Sequence, residues 1–128
     1  MPGKRRHYIL TATAERDFRE ARQWSLSRWG IELTRQYFTD LHDSAEGLAR
    51  GHSARPQLSD ASELGIYPVR EHYLIYVPIS KNRVAIVALI RQTRDVPAIL
   101  KANGFKIQRQ LKDIFKALER GAIPNLEK

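Results

Sequence analysis

The fold of this chain is decided by residues 64–100, LGIYPVREHYLIYVPISKNRVAIVALIRQTRDVPAIL. This stretch predicts three strands joined by tight turns, at 66–70, 73–77 and 84–90. The last of them is a run of seven apolar residues rich in β-branched side chains, which indicates a strand buried on both faces. Pro78 cannot donate to a strand ladder, so it marks a strand end, an edge or a bulge.

The chain before this stretch predicts one short strand and a pair of helices. Residues 7–11 suit a strand, and apolar residues then recur at helical spacing over 13–29 and 33–48. Thr13 is the expected N-cap of the first helix, and Gly30 is expected to follow its C-terminus, where glycine tolerates a left-handed conformation. Two such helices joined by a tight break form a helical hairpin. Their expected apolar stripes are Ala14, Phe18, Ala21, Ser25 and Trp29 in the first helix, and Leu33, Tyr37, Leu41, Ala45 and Leu48 in the second.

The chain after residue 100 predicts a third helix. Residues 101–104 indicate a break, and five apolar residues then recur at helical spacing, with lysines and arginines outside their stripe. A stripe this apolar must be covered, because burial of each such side chain stabilises by roughly 1.5–3 kcal/mol. We therefore expect the helix over 104–120 to pack on its own domain or against a second copy of the chain, which would make a homodimer. The five apolar residues are Ile107, Leu111, Ile114, Phe115 and Leu118.

Together these elements predict an α+β fold. The expected arrangement is a small antiparallel sheet with an N-terminal helical hairpin packed on one face, plus a C-terminal amphipathic helix. The chain has 128 residues, a length typical of one domain. We expect residues 1–100 to form the body of that domain, with a disordered basic start at 1–6 and a loop at 52–63. Residues 101–128 are then a helical extension of the same domain.

The charge balance bounds the partners of this chain. Lys and Arg number 22 against 14 Asp and Glu, a net charge of +8, which favours an acidic partner, either nucleic acid or an acidic protein. There is no cysteine, so disulfides and thiolate metal sites are excluded. No apolar segment follows the basic start, and no segment is long enough to span a membrane. We therefore expect a cytoplasmic protein without membrane association.

Several segments between residues 8 and 100 carry a family resemblance through their order and spacing, although each is unspecific alone. The segments are Tyr8-Ile9-Leu10-Thr11 before a helix containing Asp17-Phe18; Trp29-Gly30; Tyr37, Leu41 and Leu48-Ala49; Ile66 through Tyr76; and Ile90-Arg91-Gln92-Thr93-Arg94-Asp95. In these segments the chain resembles the toxins of the ParE/RelE superfamily, and within it the ParE branch. It departs from that pattern at Val77-Pro78, where ParE-like chains usually carry Tyr-Arg, and at Ile90, where the family commonly has His.

The resemblance implies a toxin of a type II toxin–antitoxin system that is held silent by a cognate acidic antitoxin. For the ParE branch, it implies a poison that acts by binding DNA gyrase. For the RelE branch, it implies a ribosome-dependent mRNA endoribonuclease, which needs an acid or base near the scissile phosphate as well as arginines. A third hypothesis, from another class, is a non-enzymatic basic module that binds nucleic acid, although no nucleic-acid motif supports it.

The candidate target-binding residues are arginines at strand ends and their neighbours. Arg70, Arg91 and Arg94 fall where strands end, and their guanidinium groups can bind phosphate or carboxylate bidentately, or pair with a neighbouring surface acid. His72 and Tyr73 lie beside Arg70 and are the only nearby candidates for acid–base chemistry, although His72 is more simply a turn histidine. We therefore predict no catalytic residue and a toxin that acts by binding. The histidines lack ligand spacing, so we predict no metal site and no cofactor.

Overall fold

The fold is seen in a computed structural model that describes residues 7–50, 64–80 and 83–120. The expectations of a disordered start and of a loop at 52–63 lie outside these residues. The described residues form four strands and three helices. In chain order they are β1 (Tyr8–Leu10), α1 (Ala12–Ala49), β2 (Gly65–Val69), β3 (His72–Ser80), β4 (Arg83–Arg91), α2 (Val96–Ala102) and α3 (Gly104–Glu119).

The strands form one sheet with the order β1-β4-β3-β2. β2, β3 and β4 are antiparallel neighbours, as the sequence predicts, and the α+β class is confirmed. β1 instead pairs in parallel with β4, with Tyr8 opposite Val84. The sheet is therefore mixed, with one parallel pair of strands, rather than fully antiparallel. Parallel neighbours need a long crossover connection, and the chain supplies one because α1, β2 and β3 all lie between β1 and β4.

α1 is a helical hairpin because its backbone leaves the helical conformation at Gly30 (φ 84°, ψ −178°). The ring centroids of Phe18 and Phe38 lie 6.0 Å apart, whereas a straight helix would separate residues at these positions by about 30 Å. The chain therefore reverses at Gly30, as predicted. We call residues 12–29 the first arm of α1 and residues 31–49 its second arm.

The first turn of α1 donates hydrogen bonds to the side chains of a local residue and of a residue in α3. Thr11, rather than Thr13, is the N-cap, because it keeps an extended backbone (ψ 166°) at the end of β1. Its hydroxyl accepts a hydrogen bond from the Ala14 N–H at 3.1 Å. The Thr13 N–H donates to the side-chain oxygen of Gln110 at 3.1 Å. Because first-turn N–H groups have no partner inside their own helix, Gln110 ties the start of the hairpin to α3.

Replacing Gly30 by alanine is expected to lower the free energy of unfolding by about 1–3 kcal/mol, because side chains disfavour this backbone conformation. A Cβ there would meet no atom within 4 Å, so the cost is backbone strain and not a clash. Gly104→Ala is the matched control: its site is equally open and its φ is not positive, so alanine should be neutral or stabilise α3 by up to about 1 kcal/mol. Urea unfolding measures both variants, and equal stabilities would contradict this role of Gly30.

The sheet lies between two layers of helix. On one face, α1 packs on a cluster that includes Leu74 and Ile86. On the other face, α2 and α3 pack on clusters that include Ile75 and Ala85. The central strand β4 is therefore covered on both sides, and Val84–Ile90 are all buried, as the apolar run predicts.

The second arm of α1 departs from its predicted stripe at the first position. Leu33 is 52% exposed, whereas Thr34 and Phe38 are buried. The rest of the predicted stripe, from Tyr37 onward, is buried as expected. A pattern of apolar residues cannot find this shift, because the residue that takes the buried position is a threonine.

α3 packs on the sheet of its own chain. Ile107 and Ile114 are buried in the clusters that cover the sheet face opposite α1. Phe115, which the sequence assigns to the same stripe, is 42% exposed. Successive helical residues are rotated by about 100°, so Phe115 is carried toward solvent once Ile114 faces the core.

The segment between β4 and α3 contains a helix that the sequence does not predict. α2 begins after Asp95, whose carboxylate accepts a hydrogen bond from the Ala98 N–H at 3.2 Å. It ends at Ala102, and its C-cap residue, Asn103, is also the N-cap residue of α3. The predicted break at 101–104 is thus reduced to one residue between two helices.

A β-bulge divides β4 into two halves whose side chains alternate in opposite phase. Val87 is the extra residue, because the pairing with β3 slips by one position there. Ile86 before the bulge and Leu89 after it both pack under α1, although in an uninterrupted strand they would face opposite sides. The same shift directs Arg91 toward α1.

Candidate functional site

The three candidate arginines lie at one end of the sheet. Arg70 is in the β2–β3 turn, and His72, the first residue of β3, pairs with Arg91 at the end of β4. The turn after β4 carries Arg94, whose N–H donates to the Arg91 carbonyl at 3.0 Å. Arg70 has a positive φ of 54°, which two-residue hairpin turns require at their first position. The three residues share this end of the sheet, but they have different neighbours.

The guanidinium of Arg91 packs on the indole of Trp24. The Arg91 Cζ lies 4.7 Å from the centroid of the Trp24 ring, and the Arg28 Cζ lies 5.1 Å from it. Trp29 contacts the same indole edge-on, with 5.1 Å between ring centroids. Cation–π contacts at exposed sites contribute about 0.5–1 kcal/mol each. The hairpin tip therefore positions two arginines around one tryptophan.

Arg70 is held by the second arm of α1. Its guanidinium forms an ion pair with Asp40, with Nε at 2.6 Å from the carboxylate oxygen. Its Cζ also lies 6.0 Å from the centroid of the Tyr37 ring. Both members of the ion pair are partly exposed, so the pair contributes up to about 1 kcal/mol. Arg70 thus has a structural partner that its neighbours in the sequence do not reveal.

His72 is a buried residue and not a turn histidine. It is 2% exposed, its Nδ1 is hydrogen-bonded to the Tyr37 hydroxyl, and its ring contacts Trp24 edge-on at 5.8 Å between centroids. Burial lowers the pKa of His72 to about 4, with a smaller contribution from Arg91. Burial also raises the pKa of Tyr37 to about 12. Both side chains are therefore neutral near pH 7.

A cleft of about 590 Å³ opens beside Arg91. It lies between the first arm of α1, the edge of β4 and α2, at a point that the short strand β1 does not reach. Asp17 occupies part of this edge, since its carboxylate accepts a hydrogen bond from the Leu89 N–H at 3.1 Å. Burial raises the pKa of Asp17, and this hydrogen bond opposes the shift. Trp24, Arg91 and Arg94 line the cleft, and we call these three residues the basic rim.

Arg94 is the member of the basic rim best placed to bind a partner. Its side chain is exposed, and it forms no ion pair with any residue that the structure describes. The neighbouring Asp95 is occupied as the N-cap of α2. The Arg94 guanidinium therefore remains available for a carboxylate or phosphate group, which it can bind bidentately.

Tyr73 lies apart from the basic rim. It pairs with Ile90 in the sheet and packs, partly buried, in the cluster under α2 and α3. The sheet separates it from the Arg91 side chain, which faces α1. Of the five candidate residues, Arg91 and Arg94 thus share the cleft with the buried His72, Arg70 lies at the same end of the sheet, and Tyr73 lies on its other face.

Two residues of this region have roles that sequence reasoning does not assign. Trp24 lies outside the predicted apolar stripe of the first arm, yet the Arg91 guanidinium packs on its ring. Tyr37 is expected only in the apolar stripe, yet its hydroxyl is the partner of His72, 35 positions away. The one signal in the sequence for these two roles is the cluster of aromatic residues on either side of Gly30, where the hairpin reverses.

The described residues hold neither a metal-ligand cluster nor a membrane-spanning helix. No three of their His, Asp and Glu side chains come together as a metal site would need. None of their helices combines the length and the apolar character that crossing a membrane takes.

Comparisons with known proteins point to one family. A family model described as "ParE toxin of type II toxin-antitoxin system, parDE" matches residues 8–96. The Toxin ParE of Escherichia coli is 30% identical over 95 residues, which cover 70% of this chain and 87% of that protein. A solved structure described as "Chromosomal ParDE TA system from P. aeruginosa" aligns with a TM-score of 0.55 and 11% identity, covering 67% of this chain and 95% of that one. At this identity the structural likeness shows the fold alone.

Proposed function

Because this chain belongs to the ParE toxin family of type II toxin–antitoxin systems, we propose that it inhibits DNA gyrase by binding to it. A cognate antitoxin neutralises it under this proposal, and the toxin acts in the cytoplasm. The alternative hypothesis is that the chain is a ribosome-dependent mRNA endoribonuclease. The two hypotheses differ because mRNA cleavage needs a proton-transfer residue at the toxin's surface, whereas gyrase binding does not.

The burial of His72 is the observation that carries the proposal. A nuclease needs a side chain that exchanges a proton beside the scissile phosphate. His72 is 2% exposed, is held by Tyr37 and Trp24, and has its pKa lowered to about 4. An enclosed imidazole with this pKa is a weak base, and near pH 7 it lacks the imidazolium proton that a general acid would donate. His72 is therefore unsuited to act as the acid or base of a nuclease, which favours binding over catalysis.

The basic rim is the surface that we assign to the target. Arg and Trp are enriched among the residues that contribute most to protein interfaces. Arg91 is already positioned by Trp24, so it loses little side-chain freedom when a partner binds. Arg94 is exposed beside it and offers a charge that an acidic group of the target can pair with.

The charge of the chain supports an acidic antitoxin. The net charge is +8, and complementary charge accelerates the association of two proteins and disfavours wrong partners. A short acidic protein encoded beside this chain and purified together with it is the expected antitoxin. Its addition should restore gyrase activity in the assay below.

Purified toxin is expected to inhibit the supercoiling of relaxed plasmid by gyrase. Arg94→Glu is expected to weaken this inhibition by about 30-fold or more, because disrupting a hydrogen-bonded charge pair that becomes buried in the complex costs about 2–5 kcal/mol. The measurement is the toxin concentration that halves supercoiling. Growth inhibition in cells that express the variant should fall in parallel.

Arg19→Glu is the matched control for Arg94→Glu. It makes the same charge change at an exposed residue of the first arm that does not line the cleft, so its inhibition should equal that of the unmodified chain. If a folded Arg94→Glu variant inhibited gyrase as strongly as the unmodified chain, the proposal that the basic rim contacts gyrase would be wrong. Specific cleavage of ribosome-bound mRNA that disappears in His72→Ala or Tyr73→Phe would replace gyrase binding with the nuclease.

A further inference from the structure

The outward side of α3 carries basic side chains that the proposed function leaves unused. They are exposed and lie within an arc of about 120° around the helix axis, at about 100° per residue. This arc is opposite Ile107 and Ile114, which face the sheet. We call this set the basic row, and it consists of Lys106, Arg109, Lys112, Lys116 and Arg120.

The basic row is long, straight and rigidly supported. At 1.5 Å per residue, the row from Lys106 to Arg120 extends about 21 Å. Its helix is fixed to the body by Ile107 and Ile114 and by the hydrogen bond from the Thr13 N–H to Gln110. Each strand of duplex DNA presents a phosphate about every 3.4 Å along the helix axis. A straight row of this length can therefore face several phosphates at once.

Asp113 lies within the arc of the basic row, but no ion pair among the described residues joins it or another acid to a member of the row. The ion pairs among the described residues join side chains of α1, His7, Arg50 and Arg70, all away from α3. Residues 101–120 contain six Lys and Arg against two Asp and Glu, a net charge of +4. α1 contains five Arg against seven Asp and Glu, a net charge of −2. Positive charge is thus concentrated on the side of the sheet that α3 covers.

The structure disfavours a membrane as the partner of α3. A helix that binds a membrane surface inserts its apolar side into the lipid. The apolar side of α3 is already used, because Ile107 and Ile114 are buried against the sheet. Phe105 is 95% and Phe115 42% exposed, but these two rings lie ten residues apart, about 15 Å along the helix, and do not make a continuous inserting face.

The composition of the basic row disfavours a protein as the partner. The centres of protein interfaces are depleted in Lys and surround apolar or aromatic anchors. Three of the five residues in the row are Lys, and no apolar residue lies among them except Phe105 at one end. Regular positive charge without an apolar centre instead suits a polyanion, since Lys and Arg are the residues that contact nucleic-acid phosphates.

We propose that the basic row binds the phosphate backbone of duplex DNA without sequence selectivity. The row lies on the sheet face opposite α1, so DNA bound there leaves the basic rim open. A toxin held on DNA in this way is concentrated near any target that works on DNA. The DNA-binding step does not rest on gyrase inhibition, because it is measured without gyrase.

The test measures binding of the full chain to a short, fluorescently labelled DNA duplex. Fluorescence anisotropy reports this binding over a range of salt concentrations. The unmodified chain should bind with a steep salt dependence. The triple variant Arg109→Gln, Lys112→Gln, Lys116→Gln should bind roughly 30-fold or more weakly at about 100 mM salt, and its log–log salt slope should be shallower by about 2–3. Glutamine keeps the helix propensity close to that of Lys and Arg, so circular dichroism and melting temperature should not change.

A second triple variant controls for net charge. Arg19→Gln, Arg22→Gln, Arg35→Gln removes three exposed charges from α1 and should leave duplex binding unchanged. Equal losses in both triple variants would show that binding follows net charge and would overturn the proposal. It would also be overturned by absence of duplex binding, or by equal or tighter binding to single-stranded RNA, to vesicles of anionic lipid or to a polyglutamate peptide.

Discussion

A chain that stops after Leu100 is expected to lose its stable fold. The deletion removes the end of α2 and all of α3, which cover the sheet face opposite α1. Ile107 and Ile114, both nearly fully buried, would disappear, and the sheet residues beneath them would face water. Loss of a buried Ile side chain typically costs about 2–5 kcal/mol. Two such losses compare with the whole stability of a small domain, about 5–15 kcal/mol.

The control for this deletion is a chain that stops after Arg120. It retains α3, so it should keep the cooperative unfolding in urea that the shorter chain loses. The point variants Ile114→Ala and Lys116→Ala separate the buried and exposed sides of α3. The first should lower the free energy of unfolding by about 2–5 kcal/mol, and the second by less than about 0.5 kcal/mol.

A soluble chain ending at Leu100 with the melting temperature of the full chain would contradict this role of α3. α3 would then pack on a domain body that folds without it. The family match ends at residue 96, so this experiment asks whether the chain beyond the family match is part of its folding unit. We predict that it is, because α3 buries the same sheet face over which α2 begins.

Lowering the pH from 7 to 4 is expected to remove up to about 3 kcal/mol of stability through His72. Folding lowers the pKa of His72 from 6.5 to about 4, and each pKa unit corresponds to about 1.4 kcal/mol. In this interval the unfolded chain takes up a proton at His72 and the folded chain does not. Because the unfolded state then binds more protons, stability is complete above about pH 6.5 and falls as the pH decreases toward 4.

His72→Asn is the variant that tests this dependence. Asparagine retains a polar group near the Tyr37 hydroxyl but does not titrate, so the stability of the variant should change less between pH 7 and 4.5. Tyr37→Phe is the control: it removes the hydrogen bond to His72 and keeps the buried imidazole, so it should retain the pH dependence. Urea unfolding at several pH values gives both results. Identical pH profiles of the unmodified chain and His72→Asn would assign the effect to other groups.

The parts of the fold that local signals specify are predictable from the sequence. A seven-residue apolar run specifies the buried strand β4, and Gly30 specifies the reversal of the hairpin, because few residues other than glycine adopt its backbone conformation. α2 is not predictable in this way. It has seven residues, too few for a helical periodicity to appear. Pro97, considered from the sequence alone, also favours a break in regular secondary structure.

The candidate site is less predictable because its contacts are long-range. The sequence indicates that arginines gather where strands end, but the side-chain partners come from elsewhere in the chain. Arg70 pairs with Asp40, 30 positions earlier, and His72 is enclosed by Tyr37 from the second arm. A histidine next to a hairpin turn is ordinarily solvated, and only the packing of α1 over this end of the sheet makes it a core residue.

The bulge at Val87 makes the length of β4 as important as its composition. Deleting Val87 itself would leave a regular strand, because its neighbours Ile86 and Ala88 already pair with the consecutive residues Tyr76 and Ile75. Inserting or deleting one residue between Leu89 and Arg91 would instead turn Arg91 toward α2 and α3, where the apolar clusters contain no acid among the described residues. Substitutions in β4 can thus be tolerated one at a time, whereas a change in its length beyond the bulge reverses the facing of Arg91 and separates it from Trp24.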